Sequence, residues 1–147
     1  MLRDSEKSSI RIVIASHGTF AEGLIDSAQM LLGEQENIAA YCLMPSQKLE
    51  SFAQILREEI DSCGAGSILF LTDLMNGTPF NAVVSLVRYY PIIYHITGVN
   101  LAVLIGALVA RNAGGDMEGI CQAAIRAAEN SILDVRTLLS GLDEDDE

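Results

Sequence analysis

Residues 10–19 read Ile-Arg-Ile-Val-Ile-Ala-Ser-His-Gly-Thr, an apolar run rich in β-branched side chains that stops at His17. Valine and isoleucine favour β-strands, and a short apolar run without clean alternation is typical of a strand covered on both faces. Gly18 allows a sharp exit from this strand, because it has no Cβ to restrict φ. Functional sites of open α/β sheets lie at the carboxyl ends of the strands. His17 therefore stands where such a sheet presents a reactive group.

Strand and helix patterns alternate along the rest of the chain. Apolar runs predict three further strands, at 38–43, 67–72 and 92–97. Apolar residues at helical spacing predict helices at 20–32, 49–60, 78–89, 101–111 and 117–129. Such alternation predicts an α/β fold, with a doubly wound, mainly parallel four-stranded sheet flanked by helices.

Four polar residues stand directly before predicted helices. Side-chain oxygens at this position accept hydrogen bonds from free backbone N–H groups of the first turn. The predicted N-caps are Ser46, Thr78, Asn100 and Asp116. Pro79 after Thr78 fits the first turn of a helix, where a missing N–H costs nothing.

The C-terminal segment is ambiguous. Residues 131–139 alternate apolar and polar side chains in a way that suits an edge strand, and a continued helix fits the pattern nearly as well. Residues 143–147 are all acidic, and such a block of like charges is expected to form a solvated, disordered tail. We therefore expect one domain over residues 1–142.

Composition excludes several classes of protein. The 147 residues carry a formal net charge of −11 without a cluster of basic residues, which argues against nucleic acid and anionic membranes as partners. No apolar run is long and uncharged enough to span a bilayer. Three cysteines without CxxC spacing indicate reduced thiols in a cytoplasmic protein. Two distant histidines and scattered cysteines give no metal-ligand spacing, and no nucleotide-binding motif is present, so we expect neither a metal nor another cofactor.

Two side chains that carry chemistry follow strands one and three. If these strands are neighbours, His17 and Asp73 meet in the crevice at their carboxyl ends. A carboxylate beside an imidazole fixes its tautomer and makes the opposite nitrogen a competent nucleophile. Residues 76–78 add a glycine, a hydroxyl and a helix N-terminus, which together form an anion cradle. This combination indicates a phosphoryl group carried on His17.

Several motifs in order resemble one family, the IIA component of the mannose family of the bacterial phosphoenolpyruvate-dependent sugar phosphotransferase system. They are IVIASHGTFAE at 12–22, MLLGEQEN at 30–37, FLTD at 70–73, GTPFNA at 77–82 and GVNL at 98–101. They are spread in order over about residues 10–111, so the resemblance extends over most of the chain. Two departures from the usual pattern are Asn76, where a glycine is usual, and Ala102, where a proline is usual. Asparagine tolerates left-handed φ better than most residues.

The resemblance implies a phosphotransferase with a transient phosphohistidine. His17 would accept the phosphoryl group from phospho-HPr and pass it to a separate IIB component during sugar uptake through a membrane permease. Asp73 would hydrogen-bond the imidazole. The phosphoryl oxygens would be bound around Gly18, Asn76, Gly77 and Thr78. Family members are cytoplasmic dimers, in some of which an antiparallel C-terminal edge strand is exchanged between subunits, and this would explain residues 131–139.

The sequence alone does not exclude a catalytically inactive sensor or dimerisation module, and two alternatives with phosphotransfer chemistry also remain at this point. One is the related phosphotransfer subunit of a dihydroxyacetone kinase, although the GTPFN run at 77–81 favours the sugar component. The other is a signalling receiver domain phosphorylated on Asp73. Receiver domains need an acidic pair after strand one and a late lysine, whereas this chain has His17 at the first place and no lysine after Lys48. His95, inside predicted strand four, is expected to be structural.

Overall fold

The computed structural model describes residues 10–64 and 66–145. The polar N-terminal residues and the last two residues of the predicted tail, Asp146 and Glu147, lie outside this part of the chain. Within it, no helix has both the length and the apolar composition needed to cross a bilayer.

Helices and strands alternate as predicted over the first two thirds of the chain. The strands are β1 (Arg11–His17), β2 (Ile38–Leu43), β3 (Ile68–Thr72) and β4 (Ile93–Thr97). The helices are α1 (Phe20–Leu32), α2 (Leu49–Ser62), α3 (Thr78–Val87), α4 (Leu101–Asn112), α5 (Met117–Glu129) and α6 (Val135–Asp145).

The four strands form one parallel sheet in the order β2-β1-β3-β4. The predicted neighbours β1 and β3 pair directly, with Ala15 opposite Thr72 near their carboxyl ends. In a parallel sheet the carboxyl ends of all strands reach the same edge, which we call the carboxyl edge. The loops after β1 and β3 therefore meet at one place.

Helices cover both faces of the sheet. Alternate residues of the central strands point to opposite faces, so Ile12 and Leu69 pack against α1, α4 and α5, while Val13 and Phe70 pack against α2 and α3. The middle of β1 and all of β3 are buried. Because helices cover both faces of the sheet, these strands are almost wholly apolar. The same packing fixes the position of the carboxyl edge.

Two of the four predicted N-caps are confirmed. The side chains of Asn100 and Asp116 accept hydrogen bonds from the backbone N–H groups of Val103 and Gly119, at 2.9 and 2.8 Å. The other two predictions are wrong. Lys48 precedes α2, and Ser46 instead occupies a turn with φ +72°. Gly77 precedes α3, so Thr78 is already its first residue.

The C-terminal segment is largely helical in the single chain, which is one of the two structures that the pattern of residues 131–139 allowed. Helix α5 ends at Glu129, and α6 begins at Val135 after a short irregular segment. Residues 135, 138, 139 and 142 of α6 are all apolar and all exposed. Helix α6 also continues through Asp143 to Asp145, into the predicted acidic tail.

Candidate functional site

His17 and Asp73 meet at the carboxyl edge. His17 is the last residue of β1, and Asp73 directly follows β3. One carboxylate oxygen, Asp73 Oδ2, accepts from the backbone N–H of His17 at 2.9 Å and lies 2.8 Å from the ring atom Nδ1. Because two hydrogen bonds from one residue converge on one oxygen, both the position of the strand end and the orientation of the ring are set.

This contact determines which ring nitrogen can react. An ionised carboxylate can accept a hydrogen bond but cannot donate one, so Nδ1 carries the ring proton. The lone pair of the neutral ring therefore lies on Nε2. The His17 side chain is 47 % exposed, whereas that of Asp73 is 13 % exposed. The nucleophilic nitrogen therefore belongs to an accessible ring held from behind by a largely buried acid.

The second oxygen of Asp73 has a different environment. Asp73 Oδ1 is buried and accepts no hydrogen bond from any described residue. A carboxylate whose one oxygen takes two donors and whose other is shielded is poorly placed to be phosphorylated itself. This geometry disfavours the receiver-domain alternative, in which Asp73 is the phosphoacceptor.

Gly77 lies against the imidazole. A Cβ at this position would be 2.7 Å from His17 Cε1 and 3.3 Å from Nε2. The φ of Gly77 is −74°, which any residue adopts. The position therefore requires glycine for the close approach to the ring, and it places the start of α3 beside the reactive nitrogen.

Asn76 supplies the left-handed turn that leads into Gly77. Its φ is +68°, a region in which glycine is favoured and asparagine is tolerated. The departure from the family pattern thus falls at a position that asparagine can occupy. The side chain of Asn81 stabilises the turn by donating to the carbonyl oxygen of Asn76 at 3.2 Å.

Ser16 holds the start of α1, a role that was not predicted from the sequence. Its hydroxyl is fully buried and accepts from the backbone N–H of Ala21, in the first turn of α1, at 2.8 Å. Gly18, with φ +53°, donates its N–H to the carbonyl oxygen of Leu43 at 2.8 Å. In the sequence, the one sign of this role of Ser16 was a small hydroxyl residue directly before His17 and near the start of a predicted helix.

The N-termini of α1 and α3 both adjoin His17, and their positive dipole ends favour an anion there.

His95 lies apart from His17, one strand beyond β3. Its Nε2 is 2.8 Å from the hydroxyl oxygen of Thr72, and its ring packs against Phe80 with centroids 5.2 Å apart. Burial lowers the pKa of His95 to about 4, so its ring is neutral near pH 7.

The structure brings the predicted site residues together. His17 ends β1 and Thr78 begins α3, while the other four, Gly18, Asp73, Asn76 and Gly77, lie in the two loops that follow β1 and β3. Among the residues that the structure describes, no group of three or more histidine, cysteine, aspartate or glutamate side chains could hold a metal ion.

Comparison with known proteins gives consistent matches. The family model EIIA-man, the fructose IIA component of the phosphotransferase system, matches residues 11–125. The mannose-specific EIIAB component of Escherichia coli K12 is 31% identical over 128 residues, covering 84% of this chain but only 39% of that protein. The fructose-specific EIIA component of Bacillus subtilis 168 is 29% identical over 103 residues, covering 69% of this chain and 70% of that protein.

A solved structure shows the same architecture. The EIIA component from Streptococcus agalactiae superposes with a TM-score of 0.80 at 28% identity, over 87% of this chain and 98% of that one. The parallel sheet and its helices are therefore those of a known IIA protein. The family match spans β1 through most of α5 and includes both loops of the site. This chain belongs to the mannose-type IIA family of the sugar phosphotransferase system.

Proposed function

We propose that this protein is a phosphohistidine carrier of a sugar phosphotransferase system. The observation that carries the proposal is the hydrogen bond between Asp73 Oδ2 and Nδ1 of the half-exposed ring of His17, which leaves Nε2 as the nucleophile. The donor is phospho-HPr, whose own phosphohistidine supplies the phosphoryl group. The acceptor is a IIB component, which delivers the group to sugar entering through a membrane permease.

The transfer requires one bond to form while another breaks. The lone pair of His17 Nε2 attacks phosphorus, and the nitrogen of the donor imidazole leaves with the electrons of the old P–N bond. The phosphorylated ring keeps its proton on Nδ1 and becomes cationic. The negative charge of Asp73 offsets this positive charge, and transfer to the IIB component reverses the same steps.

The phosphoryl oxygens bind between the two helix starts. Thr78 contributes its hydroxyl and a backbone N–H at the N-terminus of α3. Asn76 and Gly77 shape the turn that brings this N-terminus beside His17. Gly18 provides the turn on the other side, since its own N–H is already donated to Leu43. Such transfers depend mainly on positioning and charge stabilisation.

The protein acts in this role as a cytoplasmic homodimer. Helix α6 is amphipathic, and its apolar face is exposed in the single chain. Between β4 and α5 runs a groove of about 490 Å³ whose lining includes Tyr94, Ile96 and Ile125. We infer that the C-terminal segment of one subunit covers apolar surface of the other.

Phosphorylation with purified components tests the carrier role. The protein is incubated with labelled phosphoenolpyruvate, enzyme I and HPr, and the label is then treated with acid or alkali. Phosphohistidine is lost in acid and survives alkali, whereas an acyl phosphate on Asp73 is lost in alkali. We expect acid-labile label on the wild type and none on His17→Ala. Alkali-labile label, or label retained by His17→Ala, contradicts the proposal.

Asp73→Asn tests the part played by the carboxylate charge. The amide oxygen can still accept from His17, so the ring stays oriented, but the negative charge is lost. We expect transfer to slow by about tenfold to a hundredfold, as for other groups that orient a reactive histidine. Asp73→Ala removes orientation as well and should be slower still. Transfer at the wild-type rate by both variants would contradict the assigned role.

A further inference from the structure

His95 contacts both segments that hold the 73–77 loop. On one side its Nε2 meets the hydroxyl of Thr72, the residue immediately before Asp73. On the other side its ring packs against Phe80, in the first turn of α3 and three residues after Gly77. The loop that carries Asp73 and Gly77 is therefore anchored at both ends to the same imidazole.

Thr72 is the more tightly held end. Its side chain is fully buried, and its hydroxyl donates to the hydroxyl of Thr97 at 2.9 Å. A hydroxyl has one proton to donate, so the neutral ring of His95 donates its Nε2–H to Thr72 Oγ1. The carbonyl oxygen of Thr72 accepts from the backbone N–H groups of Gly98 and Val99, both at 2.9 Å. Backbone and side-chain bonds together tie the end of β3 to β4.

The hydrogen-bonded side chains of Thr97, Thr72 and His95 lie on a face of the sheet that is otherwise apolar. β4 is the outer strand beside β3, and the same face of the sheet is otherwise packed with Phe70, Ile93 and residues of α2 and α3. Burying a polar ring costs free energy unless its hydrogen bond is made. Apolar side chains at 72 and 95 would pack there without that cost. The observed triad instead adds a directional constraint at the residue next to Asp73.

We propose that His95 is a positioning residue, which acts through Thr72 and Phe80 to set the distance between Asp73, Gly77 and the ring of His17. It does not touch the phosphoryl group. This inference rests on the proposed carrier function and extends it to a residue outside the two site loops. An error of about 1 Å in such a constellation can slow a reaction by about a hundredfold.

Two variants separate the contacts of His95. His95→Phe keeps a ring against Phe80 and removes the donor to Thr72. His95→Gln keeps a donor at a similar reach and removes the ring. Thr72→Val deletes the hydroxyl with little change in shape and provides a second route if a His95 variant does not fold. Tyr89→Phe, which removes a hydroxyl from an exposed side chain just after α3, is the matched control.

The measurements are single-turnover phosphotransfer from phospho-HPr and the nitrogen and proton resonances of His17. We expect His95→Phe and Thr72→Val each to lower the maximal rate by about tenfold with an unchanged KM for phospho-HPr. Both should shift the Nδ1–H signal of His17. The double variant should be no slower than either single one, because both break the same bond. His95→Gln should recover only part of the rate, because it keeps the donor to Thr72 and loses the ring contact with Phe80.

A purely structural role predicts a different result. Folded His95→Phe and Thr72→Val proteins would then melt at lower temperature but keep wild-type rates and His17 resonances, and this outcome would overturn the proposal. An equal loss in Tyr89→Phe would overturn it too. If the wild type itself accepts no phosphoryl group, the carrier function fails, and the His17 resonances of the variants still decide whether His95 positions the site.

Discussion

At the scale of single residues, two contacts fix the imidazole of His17, one from the side chain of Asp73 and one from the backbone of Gly77. Asp73 takes two hydrogen bonds from His17 through one oxygen. Gly77 lies against the ring at Cε1, between the two nitrogens, so closely that a methyl group would overlap this atom. The ring is thus confined at Nδ1 and at Cε1, while 47 % of the side-chain surface of His17 remains exposed.

Gly77→Ala tests this confinement. The added Cβ would also lie 3.2 Å from the carbonyl oxygen of Leu74, so the backbone offers little room and the exposed ring must rotate away. We expect phosphotransfer to fall by about tenfold to a hundredfold, with little change in the free energy of unfolding, because the φ of residue 77 suits alanine. The measurements are phosphotransfer rate and urea denaturation.

Gly23→Ala is the control for this substitution. Gly23 lies in α1 with a negative φ and nothing within 4 Å of an added Cβ. Alanine there should stabilise the helix by about 0.5–1 kcal/mol and leave phosphotransfer unchanged. A Gly77→Ala protein that transfers as fast as Gly23→Ala would show that the contact with the ring does not constrain it.

At the scale of helices and strands, the pattern of the sequence predicted most of what positions the site. Apolar runs located all four strands, because strands buried on both faces have apolar residues at successive positions. Apolar residues at helical spacing located the first five helices, because each helix buries one face. The juxtaposition of His17 and Asp73 followed from the parallel order of β1 and β3.

Other features depend on contacts distant in the chain and could not be predicted. Thr78 and Gly77 are both acceptable before a helix, and the choice between them depends on the ring of His17, which approaches from another strand. The link from His95 to Thr72 joins residues 23 positions apart. Residues 131–139 fitted strand and helix periods almost equally. Their apolar side chains contact little of this chain, so no buried face decides the period.

Strand β4 carries a prediction about pH, because its imidazole is buried uncharged. Burial lowers the folded-state pKa of His95 from 6.5 to about 4. Between these values the unfolded chain binds a proton that the folded chain does not, so stability falls as pH falls. The contribution of the neutral ring to the free energy of unfolding is fully present above pH 6.5, decreases as the pH falls toward 4 and is constant below that.

Urea denaturation of the wild type and of His95→Phe near pH 7 and pH 5 measures this contribution. The wild type should lose of the order of 1 kcal/mol more than the variant over this interval, after allowance for the partial exposure of the ring. Equal losses in the two proteins would mean that the ring of His95 is charged as easily in the fold as in the unfolded chain.

At the scale of the whole molecule, helix α6 is the element that the single chain does not account for. Its eleven residues end in acidic side chains, which are unfavourable at the negative end of a helix dipole. An isolated helix of this length is barely stable in water. Val135, Leu138, Leu139 and Leu142 form one stripe at helical spacing, and each is about half exposed. A second chain that buries this stripe would supply the missing stabilisation.

The dimer can be tested by light scattering, with a charge placed on either face of α6. We expect the wild type to have the mass of two chains and Leu138→Glu to have the mass of one, because a buried unpaired carboxylate is costly. Arg136→Glu makes the same residue type on the polar face and should stay dimeric. Added salt should strengthen the wild-type dimer, since each chain carries a net charge of −11 and screening reduces their repulsion. A wild type with the mass of one chain, or a dimer that Leu138→Glu leaves intact, would show that this stripe is not the contact.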